Sequence, residues 1–355
     1  MSRCLRILNW NGVVAGLCAA VGWIVVSVAF VRPLLGDEPL LTFGDGVNWL
    51  AYSPDGKWLA SGGSELKLWD AMTGQVNLTF QGHVMELAIS PNGKLIASAG
   101  FEIKDNRIAD RTIKLLDSSS GKVKHTLRNP AGLGLHLAFS PDGKRLASAG
   151  SLDGTVQFWD VASGQPKLTL KGHHNWVSFV TFSPDGKRLV AENNPGKTGL
   201  KLNEPGELRI WDATSGRGLL AIKGPTLGFT SAAFSPDGKR LVTACADSTL
   251  TIWDATSGKE ILVLKGHATS PLCVTYSQDG DRLASAAHDG VIKLWNSTTG
   301  QETRTWQGHN GQIRCIAFSP DRSRLASCGD DKTVKVWDVT PPPRTPESPT
   351  QESNQ

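Results

Sequence analysis

Eight histidines and six cysteines are the side chains from which a catalytic or metal centre would be assembled here, and their spacing decides what they can do. His83, His173, His267 and His309 each follow a glycine, His288 precedes Asp289, and His174 belongs to the run His173-His174-Asn175-Trp176. Cys4 and Cys18 lie in an apolar N-terminal stretch. Cys245, Cys273, Cys315 and Cys328 sit inside apolar runs and form no CxxC pair. That placement suits small buried hydrophobes better than metal ligands. If Phe318 pairs with Leu325 across a hairpin, Cys315 and Cys328 face each other, a placement open to a disulfide in an oxidising compartment. Ala191 followed by four residues and Gly196-Lys197-Thr198 matches a loose phosphate-loop pattern. That chemistry needs a helix N-terminus facing the phosphates, and no helix pattern follows. No carboxylate pair, Ser-His-Asp arrangement or metal-ligand spacing can be assembled without taking residues from recurring positions. The residues point away from an enzyme, and toward no cofactor, metal or nucleotide.

Those recurring positions come from a repeat. Ser-Pro-Asp-Gly or a close variant recurs at Ser53, Ser90, Ser140, Ser183, Ser235, Ser277 and Ser319. An apolar run ending in Trp-Asp or a relative recurs at Trp69, Leu116, Trp159, Trp211, Trp253, Trp295 and Trp337, the last four spaced by 42 residues. Within one unit, Ile261 to Leu264, Leu272 to Tyr276, Arg282 to Ala286 and Val291 to Trp295 read as short strands separated by glycine-bearing turns. Most are apolar on consecutive residues, so both faces must be buried, as when small sheets stack around a ring. Leu40 to Phe43 precedes the first complete set and resembles Ile261 to Leu264. It is expected to complete the last repeat as an outer strand and remove an open edge.

The Gly-His…Trp-Asp unit resembles the WD repeat over about Leu40 to Val339. The resemblance implies an all-β, seven-bladed β-propeller of four-stranded antiparallel blades that acts as a non-catalytic interaction platform. It also implies a buried hydrogen-bonded set of His, Ser or Thr, Asp and Trp in each blade. The whole set aligns in the sixth repeat (His267, Ser285, Asp289, Trp295) and the seventh (His309, Ser327, Asp331, Trp337). Elsewhere it is eroded. The second repeat keeps His83, Ser98 and Asp110 but has Leu116, the third lacks Gly-His, and the fifth has Pro225 in place of histidine.

In a four-stranded meander, hairpin loops alternate between two ends. The Ser-Pro-Asp-Gly and Asp-Ala-Thr-Ser-Gly turns share a bottom face, and the Gly-His and Asp-bearing loops share a top face. Two long insertions, Phe101 to Asp110 and Asn193 to Gly206, belong to top loops two blades apart. Loops on a rigid scaffold are where binding residues concentrate. The candidate partner-binding residues are therefore Phe101, Lys104, Arg107, Trp176, Asn193, Lys197 and Lys201. The starts of the inner strands should line the channel with Asn48, Met85, Leu135, Ser178, Thr230, Leu272 and Arg314. One charge in seven is a poor catalytic lining. A small ligand or saccharide in the channel, bound or hydrolysed, is the competing function.

Val13 to Val31 carries no charge and as a helix would span roughly 28 Å, close to the hydrocarbon core of a bilayer. Arg3 and Arg6 precede it, and Asp37 and Glu38 follow the single Arg32. That bias keeps residues 1–12 in the cytoplasm and sends the remainder across. The segment is either a retained anchor on a short tether, residues 32–39, or a signal peptide cleaved near Ser27-Val28-Ala29. Either way the propeller, residues 40–339, is expected outside the cytoplasm, membrane-anchored or released. Residues 340–355 form a polar, Pro-rich tail. With 37 basic against 33 acidic residues, three of the basic ones flanking the apolar segment, the body is nearly neutral and a poor nucleic-acid surface. The expected partner is a protein or peptide bound by a monomeric propeller.

Overall fold

The structure, a computed structural model, describes residues 37–44, 46–104, 107–128, 136–149, 154–173, 177–193, 205–225 and 228–340. The expected helix over 13–31 and the tail beyond 340 lie outside the described residues. The described part is all-β, with seven four-stranded antiparallel sheets. In blade one the order from centre to rim is Trp49–Tyr52, Trp58–Gly62, Glu65–Asp70 and Val76–Gln81. The inner strands of the other blades are His83–Ile89, His136–Phe139, Val177–Phe182, Phe229–Phe234, Pro271–Tyr276 and Ile313–Phe318. Each inner strand touches the next, and the seventh touches the first, so the sheets close a ring. Consecutive burial, as in Leu241 to Cys245, follows from having a neighbouring blade on each side.

The bottom turns build themselves from their own side chains. Ser235 Oγ accepts the Arg240 N–H at 2.9 Å and donates to Asp237 Oδ1 at 2.5 Å, while Gly238 takes a φ of 68°. The same arrangement recurs at Ser53, Ser90, Ser140, Ser183, Ser277 and Ser319. In the seventh turn Arg322 occupies the glycine position at a φ of 65°. A side chain there costs about 1 kcal/mol, offset by Arg322 Nη1 reaching Asp279 Oδ2 at 2.8 Å.

The ring closes on Leu41–Phe43, which pairs with Val334–Asp338 as the outer strand of blade seven. The Leu40 N–H adds a bond to Val336 O at 2.6 Å. Arg304, from the outer strand of blade six, reaches both Asp338 O at 2.8 Å and Asp37 at 3.6 Å.

A second device was not anticipated from the sequence. The arginine that follows a bottom turn crosses to the next blade. Arg188 Nη1 donates to Ala255 O at 2.8 Å and its guanidinium lies 5.4 Å from the Phe234 ring. Arg240 does the same to Ser297 O and Tyr276, and Arg324 reaches Ala71 O at 2.8 Å, joining blade seven to blade one. Arg145 bonds Ala213 O and Arg282 bonds Val339 O. Blades one and two carry Trp58 and Leu95 at this position, so both junctions of blade two lack the clamp.

Three expectations need correction. The second-repeat insertion is not a loop but a continuation of the blade, with Leu95–Lys104 and Arg107–Asp117 laddered out to the pair Lys104↔Arg107. His83 does not enter the blade interior: the shortened loop puts it in a strand opposite Phe101, exposed and stacked on that ring at 4.8 Å. Cys315 and Cys328 are register partners as expected, but both are free thiols, and Cys315 Sγ donates toward Leu50 O of the adjoining blade. Burial pushes the Cys315 thiol up to about 12, so it is inert as a nucleophile at neutral pH.

Candidate functional site

At the top of the ring the inner strands enclose a cavity of about 550 Å³. Its wall includes Trp49, Met85, Glu86, His136, Gln312 and Arg314. Glu86 is buried and joins blades two and three. Its Oε1 accepts the Leu137 N–H at 2.6 Å and its Oε2 lies 2.5 Å from His136 Nδ1. Trp49 meets the His136 ring edge-on at 6.3 Å. Arg314 Nε donates to Asp330 Oδ1 at 2.6 Å on the opposite side, and Met85 is 40% exposed. The wall thus combines an acid–imidazole pair, a guanidinium and exposed thioether and aromatic surface. Thr230 Oγ1 donates to the backbone at Pro271 O, so this hydroxyl is held by the scaffold.

The lining takes in more residues than sequence spacing implied, and a recurring bulge accounts for several of them. Register shifts fall around residues 85, 178, 230, 272 and 314. A bulge sets two residues against one on the partner strand and re-aims side chains. The residues after four of them, Glu86, Phe179, Ser231 and Cys273, accordingly line the cavity too. Of the seven positions expected there, Asn48, Met85, Thr230, Leu272 and Arg314 line it. Leu135 and the Ser178 side chain lie outside the described residues.

Between strands, blade seven carries a complete relay. Trp337 Nε1 donates to Ser327 Oγ at 2.8 Å, His309 Nε2 meets the same hydroxyl at 2.7 Å, and His309 Nδ1 meets Asp331 Oδ1 at 2.9 Å. Burial works to raise the Asp331 carboxyl, but hydrogen bonds from His309 and Thr333 outweigh it and hold it well below the usual range. The relevant comparison with known proteins fits this geometry. The family model for WD domain, G-beta repeat, matches residues 37–70, 74–117, 121–160, 164–194, 217–254, 258–296 and 300–338. The chain belongs to the WD-repeat family. No curated protein matches it.

WD-repeat propellers are typical protein-interaction scaffolds and are generally non-catalytic. In this WD-repeat chain the relay varies from blade to blade. In blade six His267 Nε2 meets Ser285 Oγ at 2.7 Å and Trp295 Nε1 donates to it at 2.8 Å, but Asp289 accepts the Val291 N–H instead of binding His267. His267 Nδ1 has no hydrogen-bond partner among the described residues. Two differences account for this. Thr333 donates a hydroxyl to Asp331, whereas Val291 at the matching place cannot. Lys335 lies 3.4 Å from Asp331, whereas Lys293 is drawn to Glu302 at 2.8 Å. Burial then pushes the His267 imidazole down to about 4. In blade five, which lacks the Gly-His histidine, the fully buried Phe229 stands edge-on to Trp253 at 6.5 Å, and Trp253 Nε1 donates to Thr243 at 2.9 Å. Blades one and three keep the Trp–Ser bond, Trp69 to Ser61 at 2.7 Å and Trp159 to Ser148 at 2.9 Å.

Of the candidate partner-binding residues, Phe101 is half-buried on the extended hairpin of blade two, and Lys104 and Arg107 are the last paired residues of that hairpin. Asn193 ends the strand Arg188–Asn193, paired with Glu207. Trp176, Lys197, Lys201 and the side chains of Lys104, Arg107 and Asn193 lie outside the described residues.

Proposed function

We propose that the top face of this propeller captures a protein or peptide, with the channel mouth as the central contact. The observation that supports this is the contrast between the faces. On the bottom, Asp55, Asp142, Asp185, Asp237, Asp279 and Asp321 each accept from a serine of their own turn, and the clamp arginines are spent on backbone carbonyls. At the top, Met85 is exposed beside Trp49, Glu86, His136 and Arg314, a mixture suited to an anchored polar–apolar contact. Phe101, Lys104, Arg107, Trp176, Asn193, Lys197 and Lys201, the candidates of the two insertions and the Trp176 loop, are proposed as further contacts. In cells, photo-crosslinking from position 85 of the full chain should yield a discrete adduct, and the same probe at Lys239 on the bottom should not. Equal adducts from both positions would overturn the reading.

The apolar segment Val13 to Val31 supports a propeller outside the cytoplasm, anchored or released after cleavage. The described chain enters the propeller through Leu41–Phe43, paired with Val336 to Val334, and so starts at the bottom, the end away from the proposed contact face. Protease added to intact spheroplasts should digest the propeller, and full protection would overturn export. The channel cavity also falls within the size range of small-molecule sites, roughly 300–1,000 Å³. A small ligand there is the second reading, favoured if Met85→Trp abolishes binding of a soluble metabolite rather than of a protein.

A further inference from the structure

Blade two alone lacks the Trp of its repeat, carrying Leu116, and a cavity of about 310 Å³ opens beside that residue. It is lined by Phe80, Gly82, His83, Ser98, Lys114 and Leu116 among others. These are the positions that hold the indole elsewhere in this chain. Ser98 registers opposite Lys114 as Ser327 does opposite Lys335, and Ser327 accepts the Trp337 N–H. Lys67, Lys293 and Lys335, at the Lys114 position, lie 5.8 to 6.0 Å from the centres of their tryptophan rings. Phe80 registers with Leu66 as Phe43 does with Val334, and Phe43 packs on Trp69 at 4.6 Å. Blade two has therefore kept a hydroxyl acceptor, an ammonium and an aromatic wall for an indole that its own strand does not supply. The void exceeds the roughly 150 Å³ that suffices for benzene in an engineered protein cavity.

The strand beside the slot indicates how an indole would be delivered. In Arg107–Asp117, the outer neighbour Val123–Leu127 pairs only with Ile113 to Leu116. Among the described residues, Arg107 to Thr112 have no strand on that side, and Thr112 lines the slot. An exposed edge accepts an extended peptide, whose alternate side chains fall on one face. Here that face is the one bearing Thr112, Lys114 and Leu116. The stacked pair His83 and Phe101 stands at the slot, and Phe101 lines it.

We propose that the slot between blades one and two is a receptor for a tryptophan side chain, presented by an extended peptide that pairs with the edge Arg107 to Thr112, which has no outer partner among the described residues. This rests on the interaction-platform reading but uses a site separate from the channel mouth. The test is calorimetric titration of the full chain in detergent with a short β-branched peptide carrying one central Trp, its Trp→Ala counterpart, and N-acetyl-tryptophanamide. The Trp peptide should bind about tenfold or more tighter than the other two. Leu116→Trp, which fills the slot from within, should abolish the difference while raising the melting temperature, and Ser98→Ala should weaken it severalfold. Arg314→Glu at the channel mouth should leave the titration unchanged, so this proposal and face binding fail separately. Equal binding of the Trp and Ala peptides, or unchanged binding by a folded Leu116→Trp protein, would overturn the receptor. If Leu116→Trp does not fold, full retention of binding in Ser98→Ala does so instead. Equal binding of the free amide and the Trp peptide would overturn delivery by a strand.

Discussion

Blades three to seven are each locked to the next by an arginine, whereas blades one and two present Trp58 and Leu95 at the same place. The unclamped junctions are the two that flank blade two. Blade two is also the blade without a Trp and with a lengthened hairpin. Three departures from the repeat, the missing clamps, the missing Trp and the lengthened hairpin, therefore coincide in one sector. In a quasi-repetitive fold each unit depends on its neighbours, and closure lets strong junctions compensate for weak ones. A sector released from repeating the common contacts is free to acquire others, and the vacant slot and the Glu86–His136 pair both lie there.

The largest expected effect comes from opening the ring, which should expose the weak sector. Deleting Leu40 to Phe43 should lower the melting temperature by several degrees in calorimetry, while deleting residues 1–33 should leave it nearly unchanged. Equal melts would show that closure carries no special share. Next, Arg188→Ala in the clamped arc should cost about 2 kcal/mol in urea unfolding, as expected for a charge-assisted bond to a buried carbonyl. A cost below about 0.5 kcal/mol would erase the distinction between the sectors.

The paired relays of blades six and seven give the same contrast on a finer scale. Asp331→Asn should cost about 1–2 kcal/mol and Asp289→Asn distinctly less, because only Asp331 holds a histidine. The His267 ring, pushed down to about 4 in the fold from an ordinary value near 6.5, binds fewer protons folded than unfolded. Its contribution is therefore fully present above about pH 6.5 and is lost as pH falls toward 4. Unfolding midpoints across that window should flatten in His267→Gln, and an unchanged slope would rule the histidine out. The smallest effect tests the vacancy itself. Leu95→Arg should place a guanidinium over Phe139 and stabilise by about 0.5 kcal/mol, whereas a loss would mean that this junction is occupied by packing that a clamp disturbs.

Much of this architecture was legible in the residues. Two independent markers, the Ser-Pro-Asp-Gly turn and the Trp-Asp strand, recur in phase seven times, and the leftover strand at Leu40 to Phe43 has one vacancy to fill. The clamps had a visible signal, since Arg145, Arg188, Arg240, Arg282 and Arg324 each stand five residues after the turn serine. Their direction across to the next blade depends on tertiary packing and could not be read from spacing. Aligning the starts of the inner strands placed Met85 and Arg314 at the channel but passed over Glu86, because one position per strand takes no account of a bulge that turns the next residue inward as well. Leu116 was plain in the sequence, but the cavity beside it depends on whether Phe80 and Leu66 collapse inward. The separation of Asp289 from His267 turned on Val291 against Thr333, a position outside the recognised four.

The closing strand has a consequence in time. Leu41–Phe43 leaves the ribosome before any blade exists, and its partner Val334–Asp338 is among the last segments of the propeller to be made. At about 5–20 residues per second, that is a wait of roughly 15–60 s. For that interval the nascent chain carries an orphan strand at its start and a growing stack with an open end. Each fragment cut short by stalled translation keeps both. Completion of the propeller is thus marked by the pairing of its first strand with its last, which removes both open edges at once.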